Sequence, residues 1–479
     1  ASYIPTAFAN TAFSKETMPW GNPKHSVLSG TEFNLTIAET RVNITGKPRI
    51  ATLVNGSLPA PTLIWKEGDT VTIHVKNELP VDSSIHWHGM ILPSNMDGVP
   101  GFSYAGIKPG ETFTYQFTVQ QNGTYWYHSH SAYQEQTGAY GSIVILPKNP
   151  EPIESDYDFV IQLSDWSDTS PEQIYANLKK MGSYYNFSQR TLGNFWDEVK
   201  TKGLFSAWNG RKMWNEMRMS DRDISDVTGA TYTYLMNGLS PKAHWRAVVE
   251  SGKKVRLRFI NSSAMTFFDI RIPGLKITVV AADGHLIQPI KVDEFRIGVA
   301  ETYDVIITPD THNQAYAVFA QAIDRSGYAI GSITSDPSKL ATAPTMDANP
   351  ILTMKDMGMA MSGMSGMSDM NHSEHDMSNM SHSKHDMSDM KNMDAMVIPM
   401  NMHPKLPQIK TPKKDGPQID MRAMNPTYRL SDPGVGLRNN GRRVLTYADV
   451  KNLYPTHNEP KPTKELVLHL TGNMERYMW

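Results

Sequence analysis

The chain has 479 residues, a formal net charge of −2 from 46 lysines and arginines against 48 acidic residues, and no cysteine. This balance gives no overall electrostatic case for binding nucleic acid or an anionic membrane surface. No apolar run approaches the roughly 18–20 residues that a spanning helix needs, so no membrane span is predicted. The absence of cysteine excludes disulfides, zinc–thiolate sites, thiolate-bound iron–sulfur clusters and cysteine nucleophiles.

Residues 30–150 are predicted to form a β-sandwich. Residues 71–75 (VTIHV) and 112–119 (TFTYQFTV) alternate polar and apolar side chains with the period of a half-buried strand. Turn signals such as Asn122-Gly123 separate these strand patterns. Evenly spaced short strands over about 100 residues are typical of a sandwich.

A second strand-rich block is predicted over residues 151–345. Its strand patterns lie at residues 253–260, 275–281 and 303–308. Ser170, followed by Pro171, Glu172 and Gln173, has the order of a helix start, and Gly182 is a plausible stop, so a helical insertion is expected. Because its histidines are scattered, this block is predicted to be a metal-free spacer.

Composition changes sharply in the segment predicted as a Met/His-rich insert, residues 346–403. Residues 354–402 hold 15 of the 29 methionines, and MNHSEHDMSN at 370–379 matches MSHSKHDMSD at 380–389 in seven of ten positions. Thioether sulfur is soft and prefers Cu(I) to hard cations, whereas imidazole also tolerates Cu(II). The segment therefore favours copper recruitment over the alternative of a flexible low-complexity linker, and we expect it to be disordered without metal.

The candidate copper-recruiting residues of this insert share close spacing, so that two or three sulfur or nitrogen donors could reach one ion. They are Met357, Met359, Met361, Met364, Met367, Met370, His372, His375, Met377, Met380, His382, His385, Met387 and Met390.

Three further segments complete the predicted organisation. Residues 1–29 form an N-terminal arm without the pattern of an intact signal peptide, so Ala1 is compatible with a processed, exported chain. Residues 404–463 are rich in proline and basic residues and are predicted to be an extended connector. Residues 464–479 are predicted to be one strand that cannot bury its apolar face alone, which indicates truncation before another domain.

Two histidine pairs carry the chemistry of this sequence. His86 and His88 stand in IHWHG, and His128 and His130 stand in YWYHSH. Residues two apart in a strand point to the same side, so each pair can present both imidazoles in one direction. If the two strands are neighbours, four imidazoles converge on one cavity. Imidazole suits copper, zinc, iron and nickel, so residue type alone does not name the metal.

These motifs resemble the multicopper oxidases. The resemblance includes Gly89, the stretch MDGVP at 96–100 and Tyr125-Trp126-Tyr127. Closer similarity is to the copper-resistance multicopper oxidases of the bacterial periplasm. It rests on DGVPGFSYAGIKPGETFTYQF, VDEFRIGVAETYDVI, the Met-rich insert and HLTGNMERYMW, which span most of the chain.

The resemblance implies the cofactor and the role of each histidine. The pairs would supply four of the eight histidines of a three-copper cluster that reduces dioxygen to water. His86 would bind the type 2 copper. His88, His128 and His130 would bind the type 3 pair. The family's other four histidines and its type 1 cysteine lie in motifs that this sequence lacks, so the chain as given is predicted to be inactive as an oxidase.

The sequence therefore predicts an all-β fold of tandem cupredoxin-like Greek-key β-sandwiches, with a helical insertion in the second and a disordered Met/His-rich insert. One functional hypothesis is a periplasmic copper-resistance oxidase whose full-length parent oxidises Cu(I) or phenol-like donors with dioxygen. The alternative is a periplasmic protein that sequesters copper without turnover. Copper ions, dioxygen and copper-handling proteins of the periplasm are the expected partners.

Overall fold

A computed structural model describes residues 26–216, 219–312, 314–358 and 428–455, together with 423, 463, 464, 466 and 477. Strands dominate these residues, as the all-β prediction requires, and they form four sheets. No helix in the described part is long and apolar enough to cross a membrane.

The first two sheets pack face to face. A five-stranded sheet has the order β1-β4-β9-β8-β6, and a four-stranded sheet has the order β3-β2-β5-β7. Their strands are β1 (Val27–Ser29), β2 (Glu32–Asn43), β3 (Pro48–Val54), β4 (Ala60–Lys66), β5 (Thr70–Asn77), β6 (His86–His88), β7 (Thr112–Thr118), β8 (Gly123–His128) and β9 (Tyr140–Leu146).

Period-two patterning builds the core of this first sandwich. In β7, Tyr115 and Phe117 are buried, while the threonine and glutamine between and beside them are exposed. The ring of Trp87 in β6 lies 5.2 Å from Tyr115 and 5.8 Å from Tyr127, and all three side chains are fully buried. Aromatic pairs of this kind add about 0.5–1.5 kcal/mol beyond area burial, so β6 is firmly held although it has three residues.

The remaining two sheets form a second sandwich. Their orders are β11-β10-β13-β18-β15-β16 and β12-β20-β19-β14-β17. Their strands are β10 (Tyr157–Ser167), β11 (Tyr232–Met236), β12 (Trp245–Val248), β13 (Val255–Asn261), β14 (Phe268–Arg271), β15 (Ile277–Ala282), β16 (His285–Val292), β17 (Glu294–Ile297), β18 (Thr302–Ile307), β19 (Tyr316–Ala322) and β20 (Tyr328–Thr334).

Three helices are inserted between β10 and β11. Helix α1 (Pro171–Lys180) begins where the sequence predicted, because the Ser170 hydroxyl accepts a hydrogen bond from the Gln173 backbone N–H. Helices α2 (Leu192–Lys202) and α3 (Leu204–Glu216) were not anticipated. Both leave large apolar side chains exposed, although Leu192, Phe195, Trp196 and Val199 of α2 have the spacing of an amphipathic helix.

Hydrogen bonds from β8 to buried ion pairs of the second sandwich join the two sandwiches. Arg256 donates to Asp304 at 2.6 Å, and Arg258 donates to Asp158 through two hydrogen bonds of 2.7 Å. The hydroxyl of Thr124 in β8 donates to Asp304 at 2.7 Å and accepts from Arg258 at 2.9 Å. Burial raises the pKa of Asp304, but the two arginines outweigh burial and hold that pKa below its usual range. The strand that ends in His128 is therefore anchored to the second sandwich.

The described part of the predicted connector, residues 428–455, packs along the second sandwich. Leu437, Val444 and Leu445 are buried there. Isolated bridges pair Val444 with Glu294 and Asn452 with Ile287. This stretch contributes no named strand among the described residues, yet it is docked on the edge of the second sandwich through these bridges and buried side chains.

Candidate metal centre

The two histidine motifs lie on adjacent antiparallel strands. In the pairing of β6 with β8, His86 stands opposite His128 and His88 stands opposite Trp126. Residues directly opposite one another share a face of the sheet, so these four side chains point to one side. Trp87 and Tyr127 alternate with them and enter the core. The pattern that fills the core therefore also presents the histidines.

Three of the histidines offer converging nitrogen atoms. One ring nitrogen from each of His86, His88 and His128 lies within 4.8 Å of the other two. Nδ1 of His88 and Nε2 of His128 are 3.2 Å apart. His130 follows the end of β8, and its ring centroid lies 5.3 Å from His86 and 5.5 Å from His128. All four sequence-predicted histidines thus lie in one cluster.

Hydrogen bonds from the outer ring nitrogens orient this cluster. Nδ1 of His86 donates to the backbone oxygen of Asp97 at 2.7 Å, and Oδ1 of Asp97 lies 3.5 Å away. Nδ1 of His128 faces the backbone oxygen of Ser129 at 3.1 Å and Oε2 of Glu135 at 3.2 Å. Because these oxygens accept hydrogen bonds, each Nδ1 is assigned the hydrogen, and each Nε2 is left with a lone pair.

Burial favours the neutral, metal-binding form of His86, His88 and His130. Burial, with smaller contributions from the neighbouring His128, His86 and His130, lowers the pKa of His88 to about 4. Burial also lowers the pKa of His86, although its hydrogen bond to Asp97 partly opposes this effect, and lowers the pKa of His130. At neutral pH a metal ion therefore meets little competition from protons at these nitrogens.

The Trp126 ring supports two of the imidazoles by stacking. Its centroid lies 4.2 Å from the His128 ring at an interplanar angle of 18°, and 4.9 Å from the His88 ring at 26°. Trp126 is almost completely buried, so it cannot turn away without disrupting the core beneath it. This contact limits rotation of both imidazoles.

Open space adjoins the cluster on two sides. A cavity of 250 Å³ is bordered by His88, Tyr125 and Trp126 from the first sandwich and by Asp283 and Glu301 from the second. A cleft of 790 Å³ has His130 on its wall and continues to the start of helix α1. The cluster is therefore accessible to small molecules.

The donor set fits copper. It consists of imidazole nitrogens, which suit copper, zinc, iron and nickel, and two of them, Nδ1 of His88 and Nε2 of His128, face each other at 3.2 Å. The acceptors behind His86 and His128 hold the rings as outer partners do in metal sites. Geometry alone thus supports a transition-metal site without selecting the metal.

Of the other sequence-predicted metal residues, Met357 alone belongs to the described part of the chain. Met357 is described in the turn after Thr353, whereas the remaining candidate residues of the Met/His-rich insert lie outside the described residues. In the second sandwich, His244 is buried and bonded to Ser332 at 2.6 Å, while His285 and His312 are exposed.

Sequence reasoning missed three residues that support the cluster: Asp97, Trp126 and Glu135. Asp97 and Trp126 belong to the motifs MDGVP and YWYHSH, so a signal existed, although no role followed from it. Glu135 lies in a loop seven residues after His128, and neither strand nor helix periodicity links the two.

Comparisons with known proteins agree on one family. Sequence profiles described as multicopper oxidase match residues 36–150 and 157–338. Copper resistance protein A of Pseudomonas syringae pv. tomato is 52% identical over 96% of this chain and 78% of that protein. Copper resistance protein A of Escherichia coli is 50% identical over 95% of this chain and 78% of that protein. The laccase from Botrytis aclada has a TM-score of 0.51 and 26% identity, over 70% of this chain and 56% of that structure.

Proposed function

The chain belongs to the multicopper oxidase family, and from that premise we propose that its four clustered histidines bind copper. His86 is assigned to the type 2 copper. His88, His128 and His130 are assigned to the type 3 pair. The observation that carries this assignment is the register of β6 against β8, which sets three imidazole nitrogens within 4.8 Å of one another.

The reaction proposed for this family member is copper-resistance oxidation, in which Cu(I) or a phenol-like donor is oxidised and dioxygen is reduced to water. Bound copper supplies the electron-transfer chemistry. The protein's own contribution is to hold neutral imidazoles in place: Asp97 and Ser129 accept from the outer nitrogens, and Trp126 restrains two rings. The cavity beside His88 provides a path for a small substrate.

A second candidate function, copper sequestration without turnover, is favoured by one observation: none of the 479 residues is cysteine. Type 1 copper takes its intense colour from a thiolate ligand. We therefore expect that loading this chain with Cu(II) produces saturable binding without a strong absorption band at about 600 nm. Absorption spectroscopy during a copper titration makes this measurement.

A strong band at that wavelength would contradict the expectation, because it would require a thiolate from another chain. Dioxygen consumption with Cu(I) as donor, followed with an oxygen electrode, separates the two candidate functions. Copper-dependent uptake by this chain supports oxidase function, whereas stoichiometric binding without uptake supports sequestration by the chain as given.

The Met/His-rich insert is proposed to recruit Cu(I). Its candidate donors stand two residues apart at Met357, Met359 and Met361, and three residues apart at Met364, Met367 and Met370. Deleting residues 359–401 is expected to lower the number of Cu(I) ions bound per chain by about two or more, because two or three thioethers hold one soft cation. Competition with a Cu(I)-selective chelator under anaerobic conditions measures the change.

The matched control for this deletion is a chain in which an equally long segment of glycine and serine replaces residues 359–401. This control keeps the connection and removes the donors, so it should lose the same Cu(I) capacity. An unchanged Cu(I) stoichiometry in both variants would count against copper recruitment by the insert. Cu(II) binding at the histidine cluster should remain in both.

The periplasm is the proposed location, with copper-handling proteins there as partners. Support comes from the 52% and 50% identity to copper resistance proteins and from the absence of cysteine, which suits an environment where copper oxidises thiols. Fractionation of cells that express the gene with its native upstream sequence tests this location.

A further inference from the structure

We propose that Glu135 is a positioning residue for the metal centre, whose carboxylate holds the His128 ring and strengthens its Nε2 as a ligand. Oε2 of Glu135 lies 3.2 Å from Nδ1 of His128, and the two side chains are 27% and 7% exposed. This inference deepens the proposed function and rests on the assignment of His128 as a copper ligand.

The contact directs the lone pair of His128 toward the cluster. A carboxylate accepts and does not donate, so Nδ1 carries the hydrogen and Nε2 keeps its lone pair. That Nε2 is the atom 3.2 Å from Nδ1 of His88, on the inner side of the cluster. A metal ion between the two rings would therefore meet a nitrogen that is ready to bind.

The negative charge is what Glu135 adds to this arrangement. The backbone oxygen of Ser129 lies 3.1 Å from the same Nδ1, so an uncharged acceptor is already present. A carboxylate close to the outer N–H of a ligating histidine raises the basicity of the ligand. Glu135 should therefore act on metal affinity more than on the fold.

The backbone that carries Glu135 is fixed by its neighbour Gln134. Gln134 is buried, and its Oε1 accepts from the hydroxyls of Ser83 at 2.7 Å and Ser129 at 2.8 Å. Its Nε2 donates to the backbone oxygen of Asp82 at 2.8 Å. The carboxylate therefore extends from an anchored turn, and its approach to His128 does not depend on a freely moving loop.

The test removes the negative charge of residue 135 while keeping the shape of its side chain. Glu135→Gln keeps an acceptor oxygen of similar size and removes the charge, so we expect the Cu(II) affinity of the histidine cluster to fall about 10–100-fold. Glu135→Asp keeps the charge and is expected to recover part of that affinity. Cu(II) competition with a chelator of known affinity gives the values, and the thermal midpoint of the metal-free chain is expected to stay unchanged.

Glu172→Gln is the matched control, because it removes an equal charge from the wall of the same cleft that contains His130. This control should leave Cu(II) affinity within about twofold of the unmodified chain. Glu135→Gln affinity that equals the control value would overturn the proposal. A lower thermal midpoint with unchanged Cu(II) affinity in Glu135→Gln would also overturn it, because that result indicates a purely structural role.

His128→Ala separates failure of this inference from failure of the proposed function. If His128→Ala loses tight Cu(II) binding and Glu135→Gln keeps it, copper binding by the histidine cluster is supported and the proposed role of Glu135 is wrong. If His128→Ala itself retains tight Cu(II) binding, the copper assignment is wrong, and the inference about Glu135 is then wrong as well.

Discussion

Replacing His88 and His130 together with alanine is expected to remove the tight Cu(II) binding of the folded chain. Altering the groups that support a metal ligand typically costs 10–100-fold in affinity, so removing two ligands should cost more than about 100-fold. The loss follows from the geometry, because His88 Nδ1 faces His128 Nε2 at 3.2 Å and His130 lies on the open side of the cluster. Isothermal titration with Cu(II), checked by metal analysis after gel filtration, measures the change.

The matched control is the double variant His285→Ala and His312→Ala. Both side chains are exposed on the second sandwich, so the same number of imidazoles is removed without touching the cluster. This control is expected to bind Cu(II) as tightly as the unmodified chain does. Equal losses in the two double variants would show that Cu(II) binds to surface histidines in general, and the proposed site would be rejected.

Changing Gly98 to alanine is expected to destabilise the first sandwich by more than about 4 kcal/mol, a loss typical of severe disruption of a core. Gly98 has φ of +80°, and a Cβ there would lie 1.8 Å from the backbone oxygen of Ile85 and 3.2 Å from Cα of His86. The backbone of Ile85 and of the adjoining His86, the first residue of β6, would have to move. Urea unfolding followed by tryptophan fluorescence measures the free energy of unfolding.

Gly101→Ala is the control for backbone strain alone. Gly101 has a similar φ of +76°, but nothing lies within 4 Å of an added Cβ. This control should lose about 1–2 kcal/mol, the ordinary cost of a left-handed conformation for a residue with a Cβ. The close approach of the Gly98 loop to β6 would be unimportant if both variants lost the same free energy of unfolding.

Much of the fold followed from the sequence, because it depends on local alternation. The pattern at residues 71–75 lies within β5, the pattern at 112–119 matches β7 to within one residue, and the start of α1 at Ser170 follows from capping chemistry. Helices α2 and α3 did not follow. In α2, Leu192, Phe195, Trp196 and Val199 do have the spacing of an amphipathic helix, so a signal existed that was not used, whereas the apolar residues of α3 form no clear stripe.

Only part of the candidate site could be predicted from the sequence. The spacing of His86 and His88 indicated a shared side, but the register that sets His86 opposite His128 depends on the pairing of β6 with β8, two strands 35 residues apart. His130 lies beyond the end of β8, so strand periodicity does not place it. Glu135 reaches His128 through a turn fixed by Gln134, and no short-range pattern encodes that contact.

A crystal structure of the copper-loaded chain, with anomalous data at the copper absorption edge, tests the copper assignment most directly. We expect a copper peak between Nδ1 of His88 and Nε2 of His128, within bonding distance of both nitrogens. Nε2 of His86 should face the same cavity. Copper peaks confined to other parts of the chain, with no peak between His88 and His128, would contradict copper binding by the histidine cluster.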